Sequence, residues 1–182
     1  YNADLTRVEN ALVNAIHLAN DGVCRLAGEN QAYSGMGTTI AGLLIDRDFA
    51  VVGHLGDSRV YRLRNEVLEC LTMDHSWVNE QLRKNILTEE EARNHRWRNV
   101  ITRALGNKLD IEVELQSVDM EAGDLFLLCT DGLSSMVTEE AIREILSENK
   151  DDLDRACNLL LSQANANGGI DNVTSVLLSV DR

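Results

Sequence analysis

Residues 125–137 read LFLLCTDGLSSMV, an apolar run that stops at an Asp-Gly pair and then turns polar. The run predicts a buried strand. An Asp-Gly pair is typical of the turn between two strands of a hairpin. Residues 133–146, however, have the spacing of a helix, so a hairpin turn does not explain Asp131. The question is why a buried strand should end on an aspartate.

Two further aspartates lie where an apolar strand meets a turn, Asp57 in GHLGDSR and Asp171 in GGIDNVT. Aspartate is a common turn residue, and for Asp57 that simpler explanation stays open. Carboxylates brought to one sheet edge without evident Lys or Arg partners would repel one another unless a cation neutralised them. Because all-oxygen ligation selects hard cations, the three aspartates predict a Mg²⁺ or Mn²⁺ site.

Two other kinds of site are disfavoured. The histidines, at positions 17, 54, 75 and 95, lack metal-ligand spacing such as HxxxH, which argues against zinc catalysis. The segment SGMGTTIAGLL at residues 34–44 is rich in glycine but contains no lysine and opens a strand. A Walker A phosphate loop needs both the lysine and a following helix, so we interpret this segment as a tight turn from helix to sheet.

The composition limits the partners and the compartment. The chain has 182 residues, 44% of them hydrophobic, which suits a single domain spanning residues 1–182. A formal net charge of -13 disfavours nucleic acid and anionic membranes as partners. The four cysteines form no CxxC pair, and no apolar run approaches the roughly 20 residues of a membrane span. A cytoplasmic protein with reduced thiols is expected.

The order of predicted elements indicates the fold class. Residues 2–28 have the apolar spacing of one long helix. Four short β-rich runs follow, and we expect them to form an antiparallel meander; they cover residues 38–45, 49–55, 59–63 and 67–71. Residues 74–107 are polar and helical, with a capping box at residues 88–91, and are interpreted as an inserted flap.

The rest of the chain has mixed elements. We predict two strands, two helices and a last strand, at residues 111–118, 124–130, 138–147, 151–166 and 173–180. Helices and strands do not alternate as they do around a parallel sheet. The fold class is therefore α+β, with antiparallel sheets and helices outside.

Six segments carry a family resemblance: SGMGTTIAGLL, GHLGDSRVYRLR, DHSWVNEQL, RNVITRALG, LFLLCTDGLSSMV and DNVTSVLL. In order and spacing they resemble bacterial PP2C-type (PPM) serine/threonine phosphatases, over nearly the whole chain. The resemblance implies an antiparallel β-sandwich flanked by helices. It also implies that Asp131 and Asp171 ligate the second of two core Mg²⁺ or Mn²⁺ ions, and that Asp57 reaches a third, weaker ion together with Asp131. In the flap, His95 and Arg103 are expected to contact substrate.

The resemblance implies hydrolysis of phosphoserine and phosphothreonine in proteins by a water that bridges the metals. Two ions roughly 3.5–4 Å apart lower the pKa of that water and neutralise phosphate charge. The expected partners are phosphorylated proteins, the substrates of a serine/threonine kinase in a bacterial signalling system. The protein is expected to be a monomer.

One departure from the family pattern leaves an alternative open. The family begins with a strand carrying a phosphate-binding Arg and then an Asp-Gly-x-Gly-Gly segment whose aspartate bridges both core metals, whereas Tyr1 stands at the start of the long helix. We therefore expect this chain to be the C-terminal portion of a larger phosphatase, without the N-terminal strands. A noncatalytic PP2C-like binding or regulatory module is the alternative, but the presence of Asp57, Asp131 and Asp171 favours the enzyme.

Overall fold

The computed structural model describes residues 2–181. The strands are β1 (Ile40–Asp46), β2 (Phe49–Leu55), β3 (Arg59–Arg64), β4 (Val67–Cys70), β5 (Glu114–Asp119), β6 (Leu125–Cys129) and β7 (Ser175–Ser179). The α-helices are α1 (Arg7–Glu29), α2 (Trp77–Arg83), α3 (Glu89–Arg93), α4 (Asp131–Ser134), α5 (Glu139–Glu148) and α6 (Leu153–Ala166). Across this range, no helix has both the length and the apolar character needed to cross a membrane.

The strands form two antiparallel sheets, one in the order β1-β2-β5 and the other in the order β4-β3-β6-β7. The strands β1 to β4 are therefore two hairpins that belong to different sheets, and the predicted meander is wrong. The chain passes from one sheet to the other at residues 56–58, between β2 and β3. Local alternation of apolar residues pairs the strands of a hairpin, but it does not decide which sheet the hairpin joins.

Three apolar layers hold the sheets and helices together. The layer between the sheets contains Ala50, Val52, Val60, Val118 and Phe126. On the outside of the first sheet, Leu12 and Ile16 of α1 pack with Leu55 and Leu105. On the outside of the second sheet, α5 and α6 contribute Ile142, Leu146, Ala156 and Leu160. The layer order is helix, sheet, sheet, helix, which confirms the α+β class and the β-sandwich flanked by helices.

The long first helix starts later than predicted, at Arg7. Thr6 is its N-cap, because the Thr6 hydroxyl accepts from the Glu9 N–H at 3.2 Å while the Glu9 carboxylate accepts from the Thr6 N–H at 2.7 Å. The buried Asn10 side chain donates to the carbonyl of Asn2, which holds the preceding residues in a non-helical turn. The capping box thus sets where the helix begins.

The flap lies between β4 and β5 and contains α2 and α3. The two ends of the flap pair with each other: the Trp77 N–H donates to the Val100 carbonyl and the Thr102 N–H donates to the His75 carbonyl, both at 2.8 Å. The predicted capping box at Thr88 is present at the start of α3. Because its two ends are closed by these hydrogen bonds, the flap leaves the sandwich and returns to it at one place.

Candidate functional site

Strand register places the predicted aspartates at one end of the second sheet. In that sheet β6 lies between β3 and β7, and Cys129 pairs with Arg59 on one side and with Ser175 on the other. Asp57 precedes Arg59 by two residues, and Asp131 follows Cys129 by two. Because β3 and β6 are antiparallel, both aspartates extend past the same end of the sheet. Asp171 lies on the segment that enters β7 at this end.

Hydrogen bonds from Thr130 bring Asp131 next to the Asp171 segment. The Thr130 hydroxyl accepts from the Thr174 N–H at 3.1 Å and donates to the Asn172 carbonyl at 3.2 Å. The next residue, Gly132, approaches so closely that a Cβ atom there would overlap the Asn172 carbonyl oxygen. A glycine after the aspartate is therefore required by packing, which explains the Asp-Gly pair at the end of this buried strand.

The turn that carries Asp57 is fixed on both sides. Gly56 has a φ of +118°, a conformation that L residues rarely adopt. A Cβ atom at Gly56 would also overlap the Thr39 side chain. On the other side of Asp57, the Ser58 hydroxyl is hydrogen-bonded to the Thr39 hydroxyl at 2.8 Å. Asp57 therefore lies in a turn, as the simpler explanation expects, and its carboxylate also lines the cavity described next.

Asp57, Asp131 and Asp171 line one cavity of about 920 Å³. The flap contributes further lining residues to this cavity, among them Arg93 and Arg98. Within residues 2–181, no Lys or Arg side chain forms an ion pair with any of the three carboxylates. Their oxygens do not all lie within 4.8 Å of one another, so they do not form a single compact ligand cluster.

The electrostatics of the cavity favour a cation. Burial, then the charges of Asp131 and Asp74, raise the pKa of Asp57 to about 6. Burial and then the charge of Asp171 also raise the pKa of Asp131. Asp131 is thus the common neighbour of the other two aspartates, and each pair would be relieved of repulsion by a positive charge between its members. An all-oxygen donor set of this kind fits hard divalent cations.

Arg59 and Asp74, which also line the cavity, neutralise each other. The Arg59 guanidinium donates two hydrogen bonds to the two carboxylate oxygens of Asp74, both at 2.8 Å, and a third to the Tyr61 hydroxyl at 3.0 Å. The hydrogen bond to Asp74 raises the pKa of Arg59 against the opposing effect of burial. Asp74 is therefore already paired, and sequence reasoning had no signal for this pairing across 15 residues.

The flap residues predicted to contact substrate lie elsewhere in the flap. His95 stacks on Trp77 with 4.7 Å between ring centroids, and its Nδ1 accepts from the Trp97 N–H. Arg103 forms an ion pair with Glu112 at 3.6 Å. Neither lines the cavity, which Arg93 and Arg98 do. Sequence reasoning did not select these two arginines, because the run RNHRWRN offers three arginines and no periodicity that separates them.

A second group of side chains was also missed. His54, His75 and Glu114 each offer a ligand atom, and these atoms lie within 4.8 Å of one another. Both histidines are buried, and their rings stack in parallel with centroids 4.7 Å apart. The two histidines stand 21 positions apart with no recognisable motif, so only the fold brings them together.

A family model described as protein phosphatase 2C matches residues 2–168. The chain belongs to the protein phosphatase 2C family. Among curated members, protein phosphatase PhpP of Streptococcus pneumoniae is 41% identical over 154 residues, which cover 85% of this chain. The chain spans 62% of the length of that relative.

Solved structures of the family agree with the fold. The Mycobacterium tuberculosis serine/threonine phosphatase PstP/Ppp superposes with a TM-score of 0.91 at 31% identity, covering 100% of this chain and 76% of its own. The catalytic domain of PstP in complex with two manganese ions has a TM-score of 0.88 at 31% identity, covering 98% and 74%. The resemblance read from the six sequence segments is confirmed, and one of these solved relatives, PstP, binds two manganese ions.

Proposed function

We propose that this protein hydrolyses phosphoserine and phosphothreonine in proteins with the help of divalent metal ions. The observation that carries the proposal is a single cavity lined both by three carboxylates without Lys or Arg ion-pair partners and by two flap arginines. Carboxylates suit metal ions, and guanidinium groups suit phosphate oxygens. A noncatalytic binding module would have no chemical need for both kinds of group in one cavity.

In this proposal Asp131 and Asp171 hold one core ion, and Asp57 with Asp131 holds a further, weaker ion. Bound Mg²⁺ or Mn²⁺ supplies an activated water at neutral pH and neutralises phosphate charge. Asp131 would serve both ions, because its carboxylate is close enough to both Asp57 and Asp171 for their charges to interact. Two core ions and a third, weaker one are the expected number, and the two-manganese complex of PstP supports the core pair.

The flap arginines would bind the phosphorylated residue. Arg98 and Arg93 line the same cavity as the carboxylates and are exposed. Guanidinium groups at this position can donate to the phosphate oxygens that the metals leave free. His95 and Arg103, which do not line the cavity, stay predictions as substrate contacts.

The partners would be phosphoproteins made by a serine/threonine kinase. This is supported by the relatives, which include serine/threonine phosphatases. We further propose a monomer that acts in a bacterial cytoplasm. All four cysteines are free thiols, which fits a reducing compartment.

The test compares Asp131→Asn with Glu139→Gln, because both residues line the cavity but only Asp131 is assigned to the metals. Mn²⁺ binding by calorimetry and hydrolysis of a phosphothreonine peptide are measured on the protein expressed from its complete reading frame. We expect Asp131→Asn to weaken Mn²⁺ binding and abolish hydrolysis, while Glu139→Gln keeps Mn²⁺ binding. Unchanged Mn²⁺ binding in Asp131→Asn would contradict the assignment. Phosphopeptide binding without hydrolysis by the wild type would instead support the noncatalytic module.

A second comparison tests the flap arginines. Arg96 is the matched control for Arg98, because it lies over the Trp97 ring at 4.5 Å and does not line the cavity. Loss of a charge-assisted contact to phosphate costs about 1.5–3 kcal/mol, or roughly 10- to 100-fold in kcat/KM. We expect that loss in Arg98→Ala and a much smaller one in Arg96→Ala. Equal effects would show that the flap arginines act only through general charge.

A further inference from the structure

We infer that His75, oriented by Glu114, is a positioning residue that holds the Gly56–Asp57 turn in place. His75 contacts this turn twice. The ring Nδ1 of His75 accepts from the Gly56 N–H at 3.1 Å, and the backbone N–H of His75 donates to the Gly56 carbonyl at 2.8 Å. The N–H and the carbonyl of Gly56, the residue before Asp57, are therefore both hydrogen-bonded to His75.

The hydrogen bonds fix the tautomer of His75. The Gly56 N–H can only donate, so Nδ1 must carry the lone pair and Nε2 must carry the proton. That proton is donated to the Glu114 carboxylate at 3.0 Å. Glu114 belongs to β5 of the first sheet, so the ring connects the turn to a strand that does not contribute to the site.

The His75 ring is buried and stacked, and its burial favours the neutral form. His75 is only 4% exposed, and its ring stacks on His54 with 2° between the planes. Burial lowers the pKa of His75, although the hydrogen bond to Glu114 opposes this. The neutral form is the one that leaves Nδ1 free to accept from Gly56.

A metal site at His54, His75 and Glu114 is a poorer explanation of the same cluster. A metal at Nε2 of His75 would displace the proton there, and the neutral ring would then carry its proton on Nδ1, facing the Gly56 N–H. Two donors would oppose each other in a buried place, which costs about 1–3 kcal/mol for the unpaired group. His54 also uses its Nε2, which donates to the Met73 carbonyl at 2.9 Å. The cluster is thus already satisfied by hydrogen bonds.

The consequence for the site follows from the short path between Gly56 and Asp57. Without the acceptor at Nδ1, the Gly56 N–H loses its partner and the turn can rotate, which moves the Asp57 carboxylate. Removing partners that orient a metal ligand typically costs 10- to 100-fold in metal affinity or activity. The expected loss of metal affinity or activity rests on the proposed function, whereas the role of His75 in holding the turn is independent of that function.

The experiment uses isosteres that separate the two ring nitrogens, in the protein expressed from its complete reading frame. In His75→Asn, the side-chain oxygen takes the place of Nδ1 and can still accept from Gly56. In His75→Gln, the amide nitrogen can still reach Glu114, but the acceptor for Gly56 is lost. Glu114→Gln keeps an acceptor for Nε2, and Glu114→Ala removes it.

The first measurement is amide hydrogen exchange at Gly56 by NMR, which needs neither metal nor substrate. We expect protection to be lost in His75→Gln, reduced in Glu114→Ala, and kept in His75→Asn and Glu114→Gln. Wild-type protection of Gly56 in His75→Gln would overturn the inference. If His75→Gln fails to fold, the two Glu114 variants give the same comparison.

The second measurement is a double-mutant cycle with Asp57→Ala. We expect His75→Gln to weaken the weakest Mn²⁺ site in calorimetry and to lower kcat about 10- to 100-fold, with rescue by His75→Asn. On the Asp57→Ala background, His75→Gln should have no further effect. An equal loss on both backgrounds would mean that His75 acts on general stability and would overturn the inference. If the wild type binds Mn²⁺ but hydrolyses no phosphopeptide, the proposed function fails while Gly56 exchange and Mn²⁺ binding still decide the role of His75.

Discussion

Replacing Gly132 by alanine is expected to separate Asp171 from Asp131 without unfolding the domain. Gly132 has no positive φ, so alanine can adopt its backbone conformation. The problem is space, because a Cβ atom would overlap the carbonyl oxygen of Asn172 and lie 2.9 Å from its carbonyl carbon. Asn172 follows Asp171 directly, so any movement that makes room also moves a proposed metal ligand.

The magnitude follows from the contact distance. Two non-bonded carbons are most stable at about 3.5–4.0 Å, so the Asn172 backbone must move by roughly 1 Å in the Gly132→Ala variant. A misplacement of about 1 Å can lower a catalytic rate about 100-fold, equivalent to about 2.7 kcal/mol of transition-state stabilisation. The overpacking itself is expected to destabilise the fold by about 1–3 kcal/mol.

The assay measures Mn²⁺ affinity by calorimetry, phosphopeptide turnover, and the free energy of unfolding in urea. Gly22→Ala is the matched control, because Gly22 lies within α1 and an added Cβ would meet no atom within 4 Å. That variant should be stabilised by about 1 kcal/mol with unchanged Mn²⁺ binding. Wild-type Mn²⁺ affinity and turnover in Gly132→Ala would refute the reasoning, because the close approach of Gly132 to Asn172 would then not position Asp171.

Two further variants test the framework around the site. Arg64→Ala removes the two hydrogen bonds, at 2.7 and 2.6 Å, that the guanidinium donates to the carboxylate of Asp124, which is 1% exposed, and should lower the free energy of unfolding by about 3 kcal/mol at neutral pH. Burial raises the pKa of Asp124, but the hydrogen bond from Arg64 opposes this and the pKa is lowered overall. The stability that the Arg64–Asp124 pair contributes is therefore present above about pH 4 and is lost as the pH falls below it. A stability difference between wild type and Arg64→Ala that does not change with pH in urea denaturation would contradict the pairing. Asn20→Ala should destabilise the fold by about 1–3 kcal/mol. The reason is that the buried Asn20 side chain donates to the Lys108 carbonyl and accepts from the Gly106 N–H, both at 2.9 Å. Unchanged urea denaturation would show that the segment containing Gly106 and Lys108 is held by other contacts.

The sequence by itself determined the local elements. Apolar runs with turn residues between them predicted every strand, and the capping box at residues 88–91 predicted a helix start inside the flap. The sequence also placed Asp131 at the end of a buried strand, because a hairpin turn is incompatible with the helical spacing that follows. These features depend on residues within a few positions of one another, so the chain carries them without reference to the rest of the fold.

Only the tertiary structure decided how distant segments meet. It divided the four consecutive strands between two sheets, paired Asp74 with Arg59, and set His75 between Gly56 and Glu114. It also selected which flap arginines line the same cavity as the carboxylates. The physical reason is that charge pairing and hydrogen bonding depend on distance and burial in space. Sequence spacing fixes neither quantity for residues separated by a change of sheet or by a flap.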